Sequence, residues 1–175
     1  MRIIGLAGWS GSGKTTLLSH VIPRLVARGK RVSTLKHAHH AFDIDQPGKD
    51  SFVHRSAGAT EVLVVSANRW ALMHELRGRP EPDLPDLLQK LSDVDLVLIE
   101  GFKRQKFPKL EIHRVANGKP LLYPEDDWIV AVASDTELHD VALPVVDLND
   151  IDRIADLLLA EAMPIDQLDA RAGAE

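Results

Sequence analysis

No cysteine occurs anywhere in the 175 residues. That excludes disulfides, thiolate zinc sites, iron–sulfur ligation and a cysteine nucleophile, and it fits a reducing compartment. Positive charge is in deficit: 21 lysines and arginines face 26 aspartates and glutamates, a net charge of −5. A globally basic surface for nucleic acid is thereby excluded, and any anion site must be local. No apolar run approaches the roughly 18–20 residues that cross a bilayer, so no membrane association is expected. The opening MRIIGLAGWS lacks the long apolar region of a secretory signal. Cytoplasmic localisation is the expectation. Repeats and low-complexity blocks are lacking too. What is present is a 45% hydrophobic share with 27% charged residues, the balance of a globular chain.

Ile3–Ala7 is a short apolar run ended by glycine, after which Leu17, Leu18, Val21, Ile22, Leu25 and Val26 recur at the helical period. Pro23 predicts a kink or break in that helix near residues 20–22, and Gly29 is placed to stop it. Residues 31–35 read as a second strand, 36–51 as a long polar loop and 51–57 as a short helix. The β-rich runs at 61–66 and 69–76 predict a hairpin added to the sheet. A helix follows around Leu84–Leu91, then a strand at 95–99 buried on both faces. Residues 110–115 alternate as a strand, 128–133 and 144–148 are two more, and Asn149 or Asp150 caps a last helix through Leu159. The chain divides into a domain at 1–163 and a frayed tail at 164–175.

Gly8-Trp9-Ser10-Gly11-Ser12-Gly13-Lys14-Thr15 fits G-x-x-x-x-G-K-[ST] between a strand and a helix. Glycines let successive N–H groups converge on phosphate oxygens at a positive helix end. Lys14 adds a mobile point charge, the Thr15 hydroxyl is placed to ligate Mg²⁺, and Thr16 to bond the innermost phosphate. With the alternation of strands and helices, the motif predicts an α/β, P-loop NTPase-like three-layer sandwich around a mostly parallel sheet. Asp95-Leu-Val-Leu-Ile-Glu100-Gly101 has the form of a second acidic motif, with Glu100 delivered beside the phosphate loop to hold Mg²⁺ or its water. Asp95 lies about 16 Å away along an extended chain and cannot serve the same metal.

Lys36, His37, His39 and His40 precede Asp43, Asp45, Lys49, Asp50 and Arg55, a dense polar loop starting where the second strand ends. Lys36 and Lys49 are expected to neutralise phosphate charge, and Asp45 or Asp50 to organise magnesium-bound water. A zinc site from His37 and His39 with Asp43 or Asp45 is the weaker alternative, because no compact four-ligand set stands out. The basic stretch Lys103-Arg104-Gln105-Lys106, followed by Lys109, His113 and Arg114, is a solvated edge, a site for a second phosphate-bearing ligand, or the source of an arginine supplied across a dimer.

Together, GWSGSGKTT, LKHAHH…DIDQPGKDSFVHRSAGA, DLVLIEGFK and PKLEIHR resemble the MobB family of molybdopterin-guanine dinucleotide biosynthesis adapters, over nearly the whole chain to about residue 160. The resemblance implies a homodimeric GTP-binding protein with weak GTPase activity. It would assist the molybdopterin guanylyltransferase that joins GMP to molybdopterin, forming the guanine dinucleotide. It further implies phosphate and magnesium contacts from Gly11, Gly13, Lys14, Thr15, Thr16 and Glu100. Ser12 is expected to join the phosphate contacts as a member of the same loop, and Glu100 and Asp45 are the expected catalytic carboxylates. Lys36, His37, Asp45, Lys49, Asp50 and Arg55 would face nucleotide or pterin. No [NT]-K-x-D guanine-reading motif is present. Asp135, just past an apolar strand, is the best placed residue to read a guanine edge. The alternative function is a P-loop kinase of a small metabolite, with Asp45 or Glu100 as base. Only residues 103–106 could then serve as its lid.

Overall fold

The computed structural model describes residues 1–38 and 42–168. The chain forms two compact units, Met1–His37 with the chain from Asp83 onward, and Ala38–Pro82.

In the first unit, β1 (Arg2–Ala7) leads through the glycine loop to α1 (Lys14–Ala27) and β2 (Val32–Lys36). In the second, α2 (Asp50–Ser56) is followed by β3 (Glu61–Val65) and β4 (Trp70–His74). The chain then returns to the first unit as α3 (Leu84–Leu88), β5 (Leu96–Glu100), β6 (Lys109–His113), β7 (Ile129–Ser134), β8 (Val145–Asp147), α4 (Ile151–Glu161) and β9 (Met163–Pro164).

The main sheet runs β2-β5-β1-β6-β7-β8 with every pairing parallel, and β9 adds an antiparallel pairing to β1. Alternate residues of its strands feed two cores. Ile4, Leu6, Leu96 and Leu98 pack with Leu17, Val21 and Leu25 of α1 and Ile154 and Leu158 of α4. Ile3, Val97 and Ile99 pack with Leu84 and Leu88 of α3 and with Phe107. This is the three-layer α/β sandwich expected from the strand–helix alternation, and its parallel strands are covered on both faces.

Gly5 faces Phe107 so closely that an added Cβ would stand 2.5 Å from Cε2 of that ring. Phe107 is fully buried and has nowhere to retreat. Gly5→Ala is therefore expected to lower unfolding stability by about 1–3 kcal/mol through overpacking, measured by denaturant melts. An unchanged midpoint would contradict the packing described.

Four local expectations change. Pro23 does not break α1, which is continuous to Ala27. Pro23 is exposed, so water can serve the Ser19 carbonyl that loses its partner. Gly29 (φ 75°) ends the helix with Lys30 N–H donating to Leu25 O and Gly29 N–H to Val26 O, the Schellman pattern. Among the described residues the hairpin β3–β4 pairs only with itself, as a separate two-stranded sheet. β6 does not alternate; it is buried on both faces, Lys109 and Glu111 included. Residues 164–168, expected to fray, are held by β9 pairing with Arg2 and Ile3 and by Ile165 N–H donating to Met1 O. The tail positions 169–175 lie outside the described residues. No described helix is long and apolar enough to cross a membrane.

Candidate functional site

Between β1 and α1 the chain turns through Gly8, Gly11 and Gly13, with φ of 141°, 82° and 91°. A Cβ at Gly8 would stand 2.7 Å from Ile112 O, so both the turn and the close approach demand glycine there. α1 starts on Gly13 with no side-chain cap and no acidic residue in its first turn, whereas α3 and α4 are capped by Asp83 and Asp150. Its first N–H groups are thus left to an outside acceptor at the positive end of the helix dipole. Lys14 lies across the loop, Nζ donating to Gly8 O at 2.7 Å and Trp9 O at 2.9 Å. Burial holds its pKa below the usual lysine range; Glu100 opposes that shift, and Lys103 and Lys36 add to it. Phosphate oxygens in the loop would meet this same group of charges.

The parallel register sets Leu6, Glu100 and Lys36 side by side at the carboxyl ends of β1, β5 and β2. Lys36 Nζ stands 3.6 Å from Glu100 Oε2. His37 N–H donates to Glu100 O at 2.8 Å, and its ring lies 4.9 Å from that of Phe102. Gly101 (φ 99°) makes this possible, since a Cβ there would stand 2.6 Å from His37 Cβ. Glu100 and the Thr15 hydroxyl supply hard oxygen donors of the kind that suit Mg²⁺, an ion that takes the rest of its shell from water and phosphate. Among the described residues no group of three or more His, Asp or Glu could hold a metal by itself. A magnesium here would accordingly depend on nucleotide oxygens. Thr16 follows Thr15 on the exposed first turn of α1, and Ser12 is buried beneath the loop.

The remaining predicted residues are distributed as follows. Asp45, Lys49, Asp50 and Arg55 belong to the 38–82 unit. Arg55 grips both oxygens of Asp45 (2.8 and 3.3 Å) and also reaches Asp43 (2.7 Å) and Glu75 (3.3 Å). These acids, Asp45 foremost, hold the guanidinium pKa far above its ordinary value. Within this unit Asp45 is engaged in an ion pair. Lys49 precedes α2 and Asp50 begins it. His39 and His40, and with them the zinc reading, lie outside the described residues. Asp135 lines a cleft of about 550 Å³ at the ends of β7 and β8, with Ser134, His139, Asp147 and Asn149. Its Oδ1 accepts from Val115 N–H at 3.0 Å, and its Oδ2 lies 3.6 Å from Arg114 Nη1.

Sequence reasoning missed the support beneath the loop. Arg114 Nε donates to Ser12 O at 3.1 Å, Asn117 Nδ2 to Ser10 O at 3.4 Å, and Trp9 Nε1 to Pro120 O at 2.8 Å. In the sequence Arg114 stands out only as one of the basic residues that follow Glu100 and within the EIHR segment of the family resemblance. Glu111 of the same segment is fully buried, accepting from Leu122 N–H at 2.7 Å and Tyr123 N–H at 3.0 Å. Burial pushes its carboxyl upward more than those amides pull it down. A carboxyl raised on folding holds its proton more tightly in the native state. Its stabilising contribution is complete below the ordinary value of 4.5 and is lost as pH rises through the folded pKa. The melting temperature of the wild-type chain should therefore fall relative to Glu111→Gln as pH is raised from the acid range toward neutrality. A constant difference across that range would refute the assignment.

The family model described as "Molybdopterin guanine dinucleotide synthesis protein B" (MobB) matches residues 3–135. The chain is 45% identical over 161 residues to the molybdopterin-guanine dinucleotide biosynthesis adapter protein of Escherichia coli K12, covering 90% of this chain and 91% of that one. It is 43% identical over 160 residues to the protein of the same name from Haemophilus influenzae, covering 89% and 86%. Among solved structures, that of molybdopterin-guanine biosynthesis protein B superposes with a TM-score of 0.72 at 28% identity, covering 90% of this chain and 98% of the other.

Proposed function

Since the chain belongs to the MobB family, we propose that it is an adapter of molybdopterin-guanine dinucleotide biosynthesis that binds GTP with Mg²⁺. It hydrolyses GTP slowly and assists the guanylyltransferase acting on molybdopterin. The observation that carries the nucleotide reading is the uncapped, glycine-led start of α1 beneath the Lys14 ammonium. Main-chain N–H groups of Gly11, Gly13 and Lys14 hold the outer phosphates and Thr16 the innermost, while Ser12 N–H donates to Trp9 O at 3.1 Å and holds the loop's shape. Thr15 and Glu100 hold Mg²⁺, with Lys36 and His37 flanking. Within the 38–82 unit, Lys49 and Asp50, exposed at the start of α2, are the pterin contacts, and the Asp45–Arg55 pair holds the loop that precedes them. Preference for guanine rests on the family alone, because no [NT]-K-x-D motif is present.

A homodimer is part of the proposal. The cross-strand pairs Leu63–Leu72 and Val65–Trp70 put four exposed apolar side chains on one face of the hairpin, Val65 at 73% and Trp70 at 66% exposure. An apolar surface of this kind marks an interaction site.

Titration with GTP and ATP, in Mg²⁺ and in chelator, tests the proposal when phosphate release is followed and the guanylyltransferase and molybdopterin are then added. Tight GTP binding, slow hydrolysis and faster dinucleotide formation support it. Rapid turnover onto an added small acceptor would make the chain a kinase, and absence of GTP binding would end both readings.

A further inference from the structure

The phosphate loop is gripped from outside by the segment that follows β6. In a trans peptide the C=O and the next N–H point in opposite directions. Arg114 Nε holds Ser12 O at 3.1 Å, and this turns the Gly13 N–H away from Arg114. Asn117 holds Ser10 O in the same way, which turns the Gly11 N–H away from Asn117. The Arg114 guanidinium also packs on Gly13 itself, where a Cβ would stand 3.0 Å from Nε. Behind Arg114 stands Asp135, its Oδ2 3.6 Å from Nη1 and its Oδ1 on Val115 N–H. Both carboxylate oxygens are thereby turned toward the Arg114–Val115 backbone and side chain.

We propose that Arg114 is a positioning residue for the phosphate loop and that Asp135 acts through it, fixing the direction of the Gly13 N–H. Asp135 is then no reader of the nucleobase. The proposal rests on the phosphate-loop reading above, and it divides the cleft at the ends of β7 and β8 from the work that Asp135 does.

The test is calorimetric titration of GTP, ATP and inorganic tripolyphosphate into wild type, Arg114→Ala, Arg114→Lys, Asp135→Asn and the Arg114→Ala/Asp135→Asn double variant. One charge-assisted hydrogen bond predicts that Arg114→Ala weakens all three probes by about tenfold, leaving their ratios unchanged. Arg114→Lys restores part of that loss. Asp135→Asn weakens all three by about threefold, and adds little in the Arg114→Ala background because the two residues act in series. Unchanged tripolyphosphate affinity in Arg114→Ala overturns the inference. So does an Asp135→Asn variant that loses GTP but keeps tripolyphosphate, for that is the signature of base reading. If Arg114→Ala fails to fold, the ratio of GTP to tripolyphosphate losses in Asp135→Asn decides alone. If the wild-type chain binds neither GTP nor tripolyphosphate, the nucleotide reading falls and this inference falls with it.

Discussion

Lys14→Ala is expected to lower GTP affinity by at least about 100-fold while leaving the unliganded fold as stable as before. The ammonium reaches the loop carbonyls of Gly8 and Trp9, at the place where phosphate oxygens would take over as acceptors. Hydrogen bonds to charged groups contribute about 1.5–3 kcal/mol each, and two of them account for a loss of this size. Stability should hold because burial already disfavours the charged lysine, as its lowered pKa shows, and no core residue depends on it. Lys14→Arg should not rescue binding, since a planar guanidinium cannot take the place of a compact point charge inside a tight loop. Calorimetry and a thermal melt together decide the matter. Affinity within threefold of wild type, in a folded variant, would leave the phosphate-loop reading without its main support.

The phosphate loop was legible in the sequence because its shape is encoded locally. Three glycines supply the left-handed backbone, and the strand and helix on either side announce themselves by periodicity. Glu100 was legible for a similar reason, as the polar end of an apolar run whose register with β1 follows from parallel pairing. The support under the loop was not. Arg114 and Ser12 are 102 residues apart, Asn117 and Ser10 are 107 apart, and no local pattern joins them. Nor does a sequence say which charges neutralise one another. Arg55 was expected to face a ligand, and in the structure Asp43, Asp45 and Glu75 surround it. Glu111 reads as the polar side of an alternating strand and Lys109 as part of a basic stretch just before it, yet both are buried. Their partners, the 122–123 backbone and Asp126, come from a loop that closes over the sheet only in three dimensions.

Replacing Glu100 with glutamine is expected to have opposite effects with and without metal, and the crossing makes it more informative than a loss alone. Among the described residues Glu100 is the carboxylate whose charge acts on Lys14, and it stands beside Lys36. In chelator its negative charge repels a triphosphate seated in the loop, so Glu100→Gln should bind GTP as well as wild type or a few-fold more tightly. In Mg²⁺ the wild-type carboxylate changes from a repelling group into a ligand of the metal or its water, and affinity rises on adding the ion. Glutamine keeps the shape but loses the charge, so most of that magnesium-dependent gain should vanish in the variant. Slow phosphate release should fall by about 100-fold, the lower end of what a positioned carboxylate contributes to proton transfer or water orientation. The decisive quantity is the ratio of GTP dissociation constants in chelator and in Mg²⁺, which should collapse toward one in the variant. A ratio equal to that of wild type would remove Glu100 from the metal site and leave its pairing with Lys36 as its whole role. A ratio that collapses while hydrolysis persists would separate metal binding from catalysis and return the search for the hydrolytic group to Asp45 and its loop.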